Sequence, residues 1–274
     1  MNLFSPWSLD RIVRGIHYRV GLGIAKKDVV AKQRSNESLA QRIRETHTKI
    51  NIGCGRDKRA GYLNVDTDPA ASLDLLLVDG DDSMIPRRHF VEVLARDVLE
   101  HIPRAQTLAA LLDWADYLAD GGKLVLQTSS ILGVAAKLSE FTKYQDQHSW
   151  TTCLFGNQAH PGDFHFTGFT EVTLSVQLLA AGFRVDFMEL RDDWLLYAEA
   201  TKIENWTAVC NEDISDDTEF VKAACRRALF RDIGERDLEH CVRALRTNTT
   251  RKQTVKAMYA SPERLFSTAE RNGL

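Results

Sequence analysis

No apolar run in this chain approaches the ~20 residues that a transmembrane helix needs. Its first residues lack the apolar core and small-residue cleavage site of a secretory signal, which predicts a cytoplasmic protein. No CxxC pair occurs, and the five cysteines (Cys54, Cys153, Cys210, Cys225, Cys241) are odd in number and scattered, as free thiols in a reducing compartment would be. HxH and HExxH spacings are missing as well, so nothing argues for a bound metal. The 35 Lys+Arg against 38 Asp+Glu give a net charge of −3, which denies the chain the overall basic field of a nucleic-acid binder. What remains is ordinary globular composition: 274 residues, 44% hydrophobic and 27% charged, enough for a buried core and one to two domains.

Three stretches follow one another. Residues 1–48 are basic at the start, with Arg11, Arg14, Arg19, Lys26, Lys27, Lys32 and Arg34 against Asp10 and Asp28. Leu9, Ile12, Val13, Ile16 and Val20 recur at helical spacing behind Phe4 and Trp7. Such a helix suits two roles: peripheral membrane contact through residues 1–34, or packing on the domain or on a second copy in a homo-oligomer. Residues 49–210 alternate strand and helix patterns. Strands are predicted at Lys49–Ile52, Tyr62–Val65, Leu73–Val78, Val91–Ala95, Lys123–Thr128, Phe183–Glu189 and Trp194–Thr201. Helices are predicted at Ala105–Ala119, stopped by Asp120-Gly121-Gly122, and at Thr170–Ala181, stopped by Gly182. That is α/β alternation on a mostly parallel sheet with helices on both faces, ending in a hairpin around Arg191-Asp192-Asp193. Residues 211–274 are helical, with helices at Thr218–Arg231, Asp237–Arg246 and Thr249–Tyr259 and a last helical turn from Ser261-Pro262-Glu263.

The chemistry-bearing residues sit at strand ends. Gly53-Cys54-Gly55 follows the first strand, where two glycines let backbone approach a ligand. Asp66 ends the second strand, placed to accept hydrogen bonds from both hydroxyls of a ribose. Together they indicate a nucleoside or nucleotide ligand. A pyrophosphate binder wants GxGxxG, but the third position is Lys58, and Asp66 follows Gly53 by only 13 positions rather than ~20. So short an interval leaves no room for a full helix at a pyrophosphate, and a ligand without phosphates fits better. Cys54 reads as a small packing residue within the loop.

Four motifs then resemble class I S-adenosylmethionine-dependent methyltransferases, with their Rossmann-like sheet. These are Ile50-Asn51-Ile52-Gly53-Cys54-Gly55, Gly61-Tyr62-Leu63-Asn64-Val65-Asp66, Asp97-Val98-Leu99-Glu100-His101-Ile102-Pro103 and Leu118-Ala119-Asp120-Gly121-Gly122. The short loop before Asn64-Val65-Asp66, with Phe155-Gly156-Asn157-Gln158, His165 and Gly168-Phe169, is similar to a compact branch found in bacterial surface-polysaccharide clusters. The resemblance spans about residues 49–190 and implies S-adenosyl-L-methionine as cofactor. By it, Gly53, Cys54 and Gly55 lie under the amino-acid part of the cofactor and Asp66 on the ribose. Asp79 or Asp81 would meet the adenine, while Asp97, Glu100 and His101 stand where methionine and acceptor meet. Two positions depart from the family pattern: Arg56, where many relatives carry a small residue, and Arg87-Arg88 ahead of the fourth strand.

The implied reaction is O-methylation of a sugar hydroxyl of a surface glycan or its precursor, with Tyr144–Phe169 as acceptor wall. A hydroxyl benefits from a general base, for which His165 is preferred, with His101 and Asp97 as the other candidates and His160 as an outsider. His101 equally suits a structural hydrogen bond at the strand end. Two other readings stay open: methylation of a small metabolite, a lipid or a protein side chain, and a non-catalytic scaffold on a cofactor-binding fold. Residues 216–266 resemble a small helical domain of unknown function found beside glycan-modifying enzymes, an accessory unit without catalytic residues.

Overall fold

The computed structural model describes residues 26–159 and 161–274, with side chains from Asn36 onward apart from those of Asp79 and Pro161. The helix expected over Leu9–Val20 and the outsider His160 lie outside the described residues, as does the side chain of Asp79. Residues 30–204 form one compact unit, and residues 205–274 make up the body of another. The α/β unit thus takes in most of the helix α1 (Lys26–Thr46), while residues 205–210, assigned by pattern to the α/β domain, go with the helices.

Seven strands form one sheet in the order β3-β2-β1-β4-β5-β7-β6. They are β1 (Lys49–Ile52), β2 (Leu63–Asp66), β3 (Leu75–Leu76), β4 (Phe90–Arg96), β5 (Leu118–Ser129), β6 (Phe183–Arg191) and β7 (Leu195–Lys202). The first five pair in parallel, whereas β7 runs antiparallel to both β5 and β6. This is a Rossmann-like sheet of the order and mixed pairing that the motifs implied. One face of its central strands is apolar and fully buried, through Ile50, Val65, Val93 and Leu124, while the other carries Leu94 beside the buried Asn51 and Asn64. The helices α2 (Arg104–Tyr117) and α5 (Glu171–Ala180) supply Leu108, Leu111, Leu174 and Leu178 to that core.

Local chemistry explains most boundaries. Thr170 caps α5 in a reciprocal capping box with Thr173, and Gly182 follows the helix at φ +88°. Asp192 and Asp193 both take positive φ in the β6–β7 turn, the type I′ signature that suits the twist of a hairpin. One stop signal proves to be something else. The helix α2 ends at Tyr117, and Asp120-Gly121-Gly122 lies inside β5, beside a register shift between Phe90 and Glu92. A Cβ on Gly122 would come within 3.1 Å of Phe90 O, so the glycine serves a close approach at a bulge rather than a helix C-cap. The third strand is also shorter than predicted, two residues running into a 3-10 turn at Val78–Gly80.

Arg87, which interrupts the apolar approach to β4, has a structural place. Its guanidinium lies 4.6 Å from the Tyr117 ring centroid and pairs with Asp82 at 2.9 Å.

The C-terminal helical region contains α6 (Asp217–Leu229), α7 (Glu235–Thr247), α8 (Arg251–Tyr259) and α9 (Pro262–Asn272). The last is a full eleven-residue helix where only a turn was expected. Arg264 is buried at its heart, its guanidinium against the rings of Phe230 and Tyr259. It donates to Arg227 O and Ala228 O, satisfying carbonyls that the end of α6 leaves unpaired. No helix among the described residues is long and apolar enough to cross a membrane.

Candidate functional site

Two adjacent clefts open at the carboxyl ends of β1, β4 and β5, the edge where open α/β sheets bind ligands. The first is about 330 Å³ and is lined by Asn51, Gly53, Cys54, Gly55, Arg56, Asp57, Arg96 and Asp97. The two glycines do different work. A Cβ on Gly53 would lie 2.5 Å from Val98 Cγ2, so that position is closed by packing as well as by its φ of +61°. A Cβ on Gly55 would meet nothing within 4 Å, and its φ is +49°. Its side of the loop therefore faces open space, as backbone that lies under a ligand must.

Asp66 accepts from Gly55 N–H at 2.7 Å and from Asp68 N–H at 2.9 Å, one donor to each oxygen. A carboxylate offers about two lone pairs per oxygen, so each retains one for a hydroxyl. Asp66 thus fixes the loop and keeps a lone pair on each oxygen for a diol, but it lines neither cleft itself. Asp81 follows the 3-10 turn and accepts from Ser83 N–H; it lines neither cleft. Cys54 is buried, and burial lifts its thiol to about 11, which removes it from nucleophilic chemistry.

The loop after β1 takes its shape from a buried amide pair that pattern reading passed over. Asn51 and Asn64 are register neighbours on β1 and β2. Asn51 donates to Asp57 O and to Asn64 Oδ1, while Asn64 takes Arg59 N–H and donates to Asp74. Burial opposes the Asp74 charge, but Lys58 and the Asn64 donors outweigh it and hold the carboxyl near 2. Polar residues at matching strand positions were the available signal.

The second cleft, about 410 Å³, is lined by Asp97, Glu100, His101, Gln127, Ser129, Thr152, Cys153, Gly156, Asn157, Asp163, His165, Trp194 and Leu195. Asp97 borders both clefts, and among the described residues the catalytic candidates Asp97, His101 and His165 meet here. The turn after β4 places them: Asp97 takes φ +54°, and Glu100 and His101 ride a 3-10 turn at Leu99–His101. The wall comes from α4 (Tyr144–Phe155) and the chain returning from it, part of the predicted acceptor wall. Neither α4 nor the preceding α3 (Ile131–Glu140) stood out in the sequence, although Ser130 caps α3.

The two histidines are held alike. His101 Nδ1 lies 3.1 Å from Phe164 O, and His165 Nδ1 lies 3.0 Å from Cys153 O. A carbonyl oxygen only accepts, so each Nδ1 carries a proton and each Nε2 is left for a ligand. Their rings meet edge to face at 4.7 Å. Burial, reinforced by His101, pushes His165 below its ordinary 6.5, so it is neutral at pH 7. Glu100 is 2% exposed, and burial raises it to about 7 despite the Thr128 hydroxyl donating to it. Gln127 and Trp194 were not foreseen as site residues; a lone amide at the carboxyl end of the apolar run of β5 was the signal for the former. No cluster of three or more metal-ligating side chains occurs among the described residues.

Comparison with known proteins gives a distant likeness only. No family model matches the chain, and neither does any curated protein. Among solved structures, a "possible exported protein" from Bordetella parapertussis is 14% identical, covering 72% of this chain and 80% of that one (TM-score 0.38). A Burkholderia thailandensis 1,6-didemethyltoxoflavin-N1-methyltransferase with bound S-adenosylhomocysteine is 14% identical over 74% of this chain and 94% of that one (TM-score 0.39). The magnesium protoporphyrin IX methyltransferase of Synechocystis, also with S-adenosylhomocysteine, is 18% identical over 70% and 94% (TM-score 0.35). At such identities and scores no residue's role transfers from them.

Proposed function

We propose that the chain is an S-adenosylmethionine-dependent methyltransferase acting on a neutral hydroxyl, with a sugar of a surface glycan or its precursor as the acceptor. The observation that carries this reading is Asp97 at the border of two clefts. One is built on a glycine loop that Asp66 holds, the other carries two histidines anchored through Nδ1. Gly55 has the open backbone approach that the cofactor requires, and the interval of 13 positions from Gly53 to Asp66 suits a ligand without phosphates. Gly53 and Gly55 would hold its amino-acid part and Asp66 its ribose. The cofactor, when bound, supplies an activated methyl group.

The protein's own task is then to place one oxygen in line and to receive one proton. His165 Nε2 takes that proton, since its imidazole is neutral at pH 7 and anchored through Nδ1. His101, anchored in the same way, is its neighbour and the alternative base. Trp194 offers an apolar face against which a sugar ring can lie. The glycan assignment rests on the sequence resemblance.

One feature favours a second acceptor class. Asp97, Glu100 and Asp163 line the second cleft, and no lysine or arginine does among the described residues. This lining repels phosphate and would also welcome an amine, so an amine-bearing small metabolite is the other reading. Transfer of an isotope-labelled methyl group to a panel of glycosides and amines, read by mass spectrometry, separates them. Labelled methyl ether supports the hydroxyl reading; labelled methylamine alone supports the second; no transfer to any of the panel contradicts the hydroxyl assignment.

A further inference from the structure

Arg56 stands out of the family pattern in the sequence, and the structure sets it beside a second arginine in the first cleft, Arg96 at the end of β4. The setting is unusual in one respect: no helix lies between β1 and β2, the chain running from Gly53 to Tyr62 in turns. Nucleotide-binding sheets ordinarily meet a ligand's anionic group with a helix N-terminus after the first strand. Here that dipole is missing, and any negative charge in the cleft has to be met by side chains. The guanidinium suits a carboxylate, offering a planar fork of donors matched to two oxygens.

The rest of the lining says which anion. Asp57 and Asp97 share the cleft with the two arginines, so its fixed charges are balanced. A pyrophosphate would be repelled by both acids, whereas an amino-acid zwitterion finds a partner for each of its charges. Arg96 is already poised. It donates to Gln127 Oε1 at 3.2 Å, Gln127 donates to Asp97, and the Arg96–Asp57 contact is loose at 3.8 Å. Arg56 is exposed and belongs to the loop held by Asn51 and Asn64.

We propose that Arg56 and Arg96 together form the anchor for the α-carboxylate of the cofactor's methionine part, standing in for the absent helix N-terminus, with Asp97 facing its ammonium group. This rests on the cofactor reading above. The test uses the full chain, titrated with S-adenosylhomocysteine and with 5′-methylthioadenosine, which keeps the nucleoside and thioether but has no amino acid. ADP serves as the phosphate-bearing control. The wild type should prefer S-adenosylhomocysteine. Arg56→Ala and Arg96→Met should each weaken that ligand by about tenfold while leaving 5′-methylthioadenosine unchanged, as expected for loss of one charge-assisted contact at a part-exposed site. Thermal melting of each variant reports that the fold is retained. Equal weakening of both thioethers, or of neither, overturns the arginine assignment and leaves the cofactor reading intact. Wild-type protein that binds neither thioether overturns the cofactor reading and the anchor with it. Tight ADP binding lost in the variants replaces the carboxylate by a phosphate.

Discussion

Glu100 and His165 sit in one cleft, yet burial moves them in opposite senses, since it disfavours whichever form is charged. For Glu100 the rise from 4.5 to about 7 means that the folded protein holds its proton where the unfolded chain has released it. The native state then binds more protons between those values, and stability falls as pH climbs through that window, by about 3 kcal/mol in all. Glu100→Gln should therefore leave the melting temperature nearly unchanged at pH 4.5 and raise it at pH 8. Denaturant unfolding at the two pH values checks this; equal shifts at both would contradict it. For His165 the lowered value keeps the base neutral to below pH 6.5. The acid limb of the rate profile should lie under 6.5, and His165→Gln should abolish that limb and cut kcat by about a hundredfold or more, with affinity for S-adenosylhomocysteine unchanged. Legibility at this scale followed sequence distance. Asp97, Glu100 and His101 are contiguous, and motif reading found them together. Thr152 comes from the stretch expected to wall the acceptor, whereas Gln127 and Trp194 reach the cleft from β5 and the β6–β7 turn, far away in sequence.

Turns and caps decide how the elements deliver these residues. Gly156 ends α4 at φ +76°, and a Cβ there would overlap the carbonyl oxygen of Asp163. Gly156→Ala should cost about 1–3 kcal/mol and disturb the return segment that carries His165. Thermal melting and kcat measured together check this; a neutral variant would mean that the segment does not define the cleft. Thr170 is a milder case. Thr170→Ala removes the Thr170 hydroxyl's half of a capping box, leaving its N–H on Thr173 Oγ1, and should cost about 1 kcal/mol, without touching ligand affinity. The start of α5 was visible beforehand, because capping is a property of a few adjacent residues, whereas Gly156 ends a helix that the sequence did not announce. The glycines of Asp120-Gly121-Gly122 were misread for a related reason. A helix stop and a β-bulge ask the same thing of glycine, and only the strand partner Phe90, far away in sequence, tells them apart. The loop after β1 hid its rule similarly, since Asn51 and Asn64 mean little until β1 and β2 are paired in register.

In the whole molecule, both clefts draw their lining from residues 51–195, all within the α/β unit. The helical unit has its own core around Arg264, whose loss would strand two helix-end carbonyls and two aromatic faces. Arg264→Ala should destabilise that unit by about 2 kcal/mol while leaving affinity for S-adenosylhomocysteine within a few-fold of wild type. Alternating strand and helix patterns revealed the α/β architecture because the sheet is built largely from neighbours in sequence. The helices α3 and α4 escaped, and β3 proved to be two residues within the strand expected over Leu73–Val78. The claim on which the rest depends is that the glycine loop and Asp66 bind S-adenosylmethionine. Calorimetric titration of the full chain with S-adenosylhomocysteine, run beside NAD, tests it most directly. The account predicts micromolar binding of the first and none of the second; binding of NAD alone, or of neither, would contradict it.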